Sequence, residues 1–205
     1  PGARHCVRSD TMKIPETLRV IRDEHNALAG MLQSLSLLIR RGPGDERQRF
    51  FDTLEAMLFY IDEFPERLHH TKESDLLFPR VAKLAPQTTG AIARLEQDHA
   101  KGEPAVRELQ HLLLAWKILG ESRRGAFVEQ FGRYINFYLE HMRLEEQEIL
   151  PAAERYLSAQ DWAELDQAFA ANRDPLTGKY PPDDIYEQLF KRIVHDAPAP
   201  IGLGG

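Results

Sequence analysis

Residues 69–79 read HHTKESDLLFP, and 72 positions further on residues 141–151 read HMRLEEQEILP. Aligned, the stretches pair His69 with His141, Glu73 with Glu145, Leu77 with Ile149, Phe78 with Leu150 and Pro79 with Pro151. A His and a Glu four positions apart share one face of an α-helix, their Cβ atoms about 5–6 Å apart. Their neighbours turn that face inward. One helix is expected over about 46–84, with Leu54, Leu58, Ile61, His69, Glu73 and either Leu76 or Leu77 on its inner side. Another, over about 123–156, carries Phe127, Phe131, Tyr134, Tyr138, His141, Glu145 and Ile149. Steps of three and four mark helices with one buried stripe. Each stripe holds polar groups where leucines belong.

Two further helices precede these. Ile14, Leu18, Ile21, His25, Leu28, Leu32, Leu35 and Ile39 form one stripe, closed by Gly42-Pro43-Gly44. Ile92, Leu95, His99, Gly102, Val106, Leu109, Leu113 and Trp116 form the other. Adding 74 maps Leu18 to Ile92, Ile21 to Leu95, His25 to His99, Leu32 to Val106 and Leu35 to Leu109, so the whole hairpin is duplicated. Short connections between long helices make neighbours antiparallel. The expected fold is all-α: an internally duplicated up-down-up-down four-helix bundle over 14–157. A polar, flexible leader is expected over 1–13 and a helical extension over 158–205. In that extension SAQDWAELDQAFAAN and DIYEQLFKRIVHD read as short helices, and APAPIGLGG as extended or disordered chain. The extension shows no obvious chemistry; packing on the bundle or on a second subunit, as in a homodimer, is its plain reading. Pro65 is expected to kink the second helix and Pro79 to loosen its end.

Composition narrows the classes. The 205 residues are 28% charged and 42% hydrophobic, as in an ordinary globular protein. A net charge of −6 argues against a nucleic-acid footprint. No apolar run approaches the roughly 20 residues that cross a bilayer, so no membrane partner is expected. PGARHCVRSDTMK has no apolar signal core, and the lone Cys6 forms no framework of disulfides, so a cytoplasmic setting is expected.

Six polar groups at repeat-related core positions need a partner, because unpaired buried polar and charged groups cost several kcal/mol. Four inward imidazoles and two carboxylates suit about two first-row ions, Fe, Mn or Zn, better than Ca or Mg. The Glu-x-x-His pattern of ferritin-like bundles occurs in ERLH, EQDH and ELQH, but the fourth helix reads YLEH, which breaks the required symmetry. Tyr134 and Tyr138 read as core aromatics, with a supporting or redox role as the alternative. Trp116 and Trp162 read as packing, and His5, His111 and His195 stand outside the repeat.

RDEHNAL, HHTKESDLLFP, EQDHAKGE and HMRLEEQEILP together resemble the hemerythrin-like HHE cation-binding family over about residues 14–157. The tail phrases NRDPLTG and APIGLGG also resemble those that follow the domain in some bacterial members. The resemblance implies that His25, His69, Glu73, His99, His141 and Glu145 ligate a non-haem di-iron centre. The two glutamates would bridge the irons, with an oxo or hydroxo group as a further bridge. An open position would then receive O₂, NO or peroxide. The chain departs from the oxygen carriers at Glu103, where they place a second histidine on the third helix. Either Glu103 is an additional ligand, or it faces water. His70 is the other candidate: at 3.6 residues per turn Glu73 lies about 40° from His69 and about 60° from His70. The repeat favours His69, since His70 pairs with Met142. The expected function is binding of a small diatomic or peroxide, ahead of iron storage, delivery or repair, and ahead of oxidoreductase turnover.

Overall fold

The computed structural model describes residues 14–179, 181 and 183–204, so the leader expected over 1–13, with His5 and Cys6, lies outside the described residues. Four long helices form the bundle: α1 (Glu16–Arg41), α2 (47–84), α3 (Thr89–Leu119) and α4 (124–156). Two short ones follow, α5 (Ala159–Phe169) and α6 (Glu187–Asp196). Around the bundle α1 packs on α2, α2 on α3, α3 on α4 and α4 back on α1, the closed ring of an up-down-up-down arrangement. Ile14 differs from its expected place: it precedes α1 and is exposed, so the buried stripe begins at Leu18.

The core is divided. Leu28 to Ile39 of α1, Phe50 to Phe64 of α2, Val106 to Trp116 of α3 and Phe127 to Tyr138 of α4 contribute to one apolar block. Leu18, Ile21, Leu77, Phe78, Val81, Ile92, Leu95, Ile149 and Leu150 belong to a second, which Leu165 and Phe169 of α5 complete. Between the blocks, at the level of His25, His69, His99 and His141, lies a polar layer. The leucine slots taken by histidine and glutamate are therefore one stratum of the bundle.

Prolines shape the two site-bearing helices. α2 is continuous through Pro65 and Pro79, but it widens into π-helical turns at Asp62–His69 and Glu73–Leu77. α4 does so once, at Glu145–Ile149, just ahead of Pro151. Proline offers no N–H to the carbonyl four residues back, and an i→i+5 turn absorbs the defect without breaking the helix. The Phe78 amide accordingly donates to the Glu73 carbonyl, and the Leu150 amide to the Glu145 carbonyl. Pro79 thus leaves the end of α2 intact. The turn around Pro65 has no counterpart in α4, where Phe137 stands at the repeat position.

The C-terminal extension wraps its own bundle. α5 starts from a Ser158–Asp161 capping box and packs on α1; α6 packs on α2 through Phe190 and Ile193. The final segment is folded back rather than extended. The Ser34 hydroxyl donates to the Pro198 carbonyl at 2.8 Å, and Leu203 N–H donates to the Val194 carbonyl at 2.8 Å. Gly30 is what lets Ile201 lie against α1, because a Cβ there would meet the Ile201 side chain at 3.0 Å.

Candidate metal centre

Two groups of ligand atoms converge in the polar layer. His25, His69, Glu73 and Glu145 each offer one atom to a set whose members lie within 4.8 Å of one another; His70, Glu73, His99 and His141 form the second such set. Glu73 belongs to both. Its Oε1 is 2.7 Å from His69 Nε2, while its Oε2 is 3.4 Å from His99 Nε2. Glu145 Oε2 is 3.4 Å from His25 Nε2. The six residues expected from the repeat are all brought together, on four different helices.

The adjacent histidines divide between the sets, which a uniform 3.6-residue wheel does not anticipate. The π turn at Asp62–His69 closes with the His70 amide donating to the Pro65 carbonyl five residues back. That extra residue per turn rotates the following positions, so His69 faces the α1 side and His70 the α3–α4 side, both buried. His70 stacks on His99 with ring centroids 4.2 Å apart. His69 thus lies in one set, and His70, the further candidate, in the other. Glu103 joins neither set. Its side chain is 42% exposed and pairs with Arg107 one turn along α3.

Four of the five imidazoles are held from behind by a hydrogen bond. His69 Nδ1 lies 2.6 Å from Glu24 Oε2, His25 Nδ1 2.8 Å from Glu146 Oε1, His70 Nδ1 3.1 Å from Glu66 Oε2 and His99 Nδ1 2.9 Å from Ser74 Oγ. His141 Nδ1 faces Asp98 at 3.7 Å. A carboxylate or hydroxyl at Nδ1 sets ring orientation and leaves Nε2 free for a cation. Glu66 is itself fixed by hydroxyls from Tyr134, at 2.9 Å, and Tyr138. Gly102 makes room for this cluster, since a Cβ there would run into Glu66 and Tyr138. The two tyrosines are therefore core residues with a polar task. Sequence reasoning passed over Glu24, Ser74, Asp98 and Glu146, and met Glu66 only in the ferritin-like pattern ERLH. Only Glu66, one helical turn before His70, carried a spacing signal.

Inside the layer, polar atoms lack hydrogen-bond partners. Among the buried atoms without one are Nε2 of His25, His69, His99 and His141 and both carboxylate oxygens of Glu73 and Glu145. Buried groups of this kind are normally satisfied. In each set the ligand atoms lie within 4.8 Å of one another, so a cation between them would satisfy them together. Neither set contains a cysteine, and imidazole with carboxylate suits a first-row metal.

Burial and neighbouring charges move the ring protons of the layer in opposite directions. Burial disfavours a charged His25, yet Glu145 and Glu146 outweigh it and raise the ring to about 9. His69 likewise rises well above its ordinary value, because Glu73 and Glu24 outweigh burial. His70 is driven well below its usual range by burial and the nearby His99 and His69; burial and His99 take His141 down to about 3. Burial would raise Glu73, but His69 holds it well below the carboxylate range, whereas burial and the Glu73 charge push Glu145 up to about 7. A metal entering the His25–His69 set must displace protons, whereas His70 and His141 are held in the neutral form.

The family model described as the hemerythrin HHE cation binding domain matches residues 16–153. The chain belongs to that family. Comparison with curated proteins gives no match. In this hemerythrin-like chain, the matched residues span all seven that make up the two sets, and those sets fit a metal-binding protein. Among the described residues no helix is long and apolar enough to cross a membrane.

Proposed function

We propose that this protein holds a pair of iron ions and uses them to bind O₂, NO or peroxide. His25, His69 and Glu145 would hold one ion, His70, His99 and His141 the other, and Glu73 would join them. The observation that carries the reading is the divided carboxylate of Glu73, one oxygen turned to each set. Charge agrees with it. Glu24, Glu66, Glu73 and Glu145 are all buried and each contacts a histidine of the layer, so together their carboxylates match two divalent cations. Iron in such a pair would supply one-electron chemistry and an open coordination position, with Mn or Zn able to occupy the same ligands.

The chain's own residues would do the rest. Glu24, Glu66, Ser74 and Glu146 keep the imidazoles aimed inward. Leu77, Phe78 and Ile149 on one side, and Tyr134 and Tyr138 on the other, exclude bulk water from the layer. That burial favours retention of the metal over ready release, so ligand binding ranks ahead of iron storage or delivery. The test is anaerobic purification, iron reconstitution and metal analysis, followed by absorption spectra with O₂, azide, NO and peroxide. Two irons per chain and a stable, reversible adduct are expected. Less than one equivalent of metal overturns the reading, and rapid autoxidation with loss of iron replaces ligand binding with iron handling.

A further inference from the structure

The family match ends at residue 153, yet the support of His69 does not. Glu24 Oε2, which receives His69 Nδ1 at 2.6 Å, also accepts a hydrogen bond from Asn172 Nδ2 at 2.9 Å. Asn172 lies 148 residues from Glu24, in the turn segment NRDPLTG that follows α5. It is buried, as is Asp174 two residues on. Its other amide atom, Oδ1, accepts from the Lys72 ammonium on α2. One side chain therefore satisfies Glu24 on α1 and Lys72 on α2 at once.

The segment around it is anchored for this. Asp174 accepts from the buried Tyr60 hydroxyl of α2 at 2.5 Å and from the Leu176 amide at 2.9 Å. Arg173, between the two buried residues, takes a left-handed backbone with φ 44°, a conformation a non-glycine residue adopts only where its surroundings enforce it. α5 ties the approach to α1, since Asp166 accepts from both the amide and the hydroxyl of Thr17 at 2.7 Å. A buried acceptor shared by two donors has little freedom to turn away, and a carboxylate fixed in this way fixes the ring that it faces.

We propose that Asn172, from outside the family domain, is a positioning residue of the metal centre: it holds Glu24 so that His69 keeps its Nε2 directed at the His25–Glu73–Glu145 set. The inference rests on the proposed metal pair. Its partner is the chain's own C-terminal extension, which thereby becomes part of the site rather than a cover over the bundle. The contrast with His70 is informative. There the supporting carboxylate, Glu66, is held by two tyrosines of α4, within the bundle itself.

The test uses the full chain loaded with cobalt(II), a spectroscopic probe of coordination, in wild type, Asn172→Asp and Asn172→Leu. Asn172→Asp is isosteric but loses the N–H donor to Glu24; Asn172→Leu loses both polar atoms. Loss of such an outer partner costs about 10–100-fold in metal affinity. Both variants are expected to release one of the two cobalt ions to a chelator about 10–100-fold faster than wild type, with altered visible bands for that ion. The metal-free variants should keep the wild-type far-ultraviolet circular dichroism. In the metal-free wild type, the His69 Nδ1–H resonance should be observable by NMR, and in Asn172→Asp it should broaden or shift. Wild-type release rates and bands in both variants overturn the inference while leaving the metal pair standing. Failure of wild type to bind cobalt overturns the metal pair and this inference together. Unfolding of both metal-free variants would make Asn172 a scaffold residue and likewise overturn its role toward His69.

Discussion

The two hairpins of the bundle began as copies and now differ at one turn. α1–α2 and α3–α4 each give the polar layer a lone histidine, a His-x-x-x-Glu and a π turn running from that glutamate toward a proline. Only α2 carries the second π turn, at Asp62–His69 around Pro65. It adds His70 to the layer and brings Glu66 behind it, while Met142, the repeat partner of His70, packs in the apolar core. The extension favours the same hairpin, since Asn172 and Asp174 reach Glu24, Lys72 and Tyr60 and no residue of α3 or α4. Duplication thus supplies a near-symmetric pair of half-sites, and one proline turn with one tail segment makes them unequal. The inequality has a chemical side: His25 and His69 are pushed toward the protonated form, His70 and His141 toward the neutral one.

Breaking the shared residue should have the largest effect. Glu73→Ala removes the one carboxylate among the described residues that belongs to both sets, and the chain is expected to lose stoichiometric binding of the metal pair after iron reconstitution, measured as iron per chain. Glu145→Ala, which touches the His25 set, should retain about one ion; equal losses in the two variants would mean that the half-sites do not differ in this way. Next in size is His70→Ala. It should reduce iron from two ions per chain toward one and abolish the paired-metal spectrum, while His69→Ala removes the other ion. An unchanged spectrum in His70→Ala would return that residue to a packing role and restore symmetry to the hairpins.

The tail's preference for the first hairpin has a pH signature. Burial raises the Asp174 carboxyl to about 6, against the hydrogen bonds from Tyr60 and Leu176 that favour its charge. Between about 4 and about 6 the folded chain keeps a proton that the unfolded chain has lost, so stability falls as pH rises through that window. At about 1.4 kcal/mol per pKa unit this amounts to roughly 3 kcal/mol, fully in place above the folded value. Asp174→Asn should flatten that part of the urea-midpoint profile of the metal-free protein. A profile with the wild-type slope would show that Asp174 ionises without cost. The smallest effect belongs to the position where the oxygen carriers have a histidine. Glu103→Ala removes an exposed pair with Arg107, and should leave metal content unchanged and stability within about 0.5 kcal/mol. Loss of metal in that variant would contradict the placement of Glu103 outside the layer.

Periodicity alone determined a great deal of this protein. Apolar steps of three and four set four amphipathic helices, and short connections made them antiparallel. The 72- and 74-residue offsets then put His25, His69, Glu73, His99, His141 and Glu145 at one level, because equal spacing along equivalent helices places equivalent residues in one stratum. The tertiary structure decided what depends on departures from that regular spacing or on distant contacts. His70 entered the layer because an i→i+5 turn around Pro65 changes the angle per residue, which a 3.6-residue wheel holds constant. Glu103 stays out of the layer although regular spacing puts it on the face of His99: its side chain is 42% exposed and pairs with Arg107. Asn172 reached His69 through Glu24 across 148 residues. No local pattern encodes such a contact; it exists only once α5 has packed on α1 and turned the following segment toward the bundle.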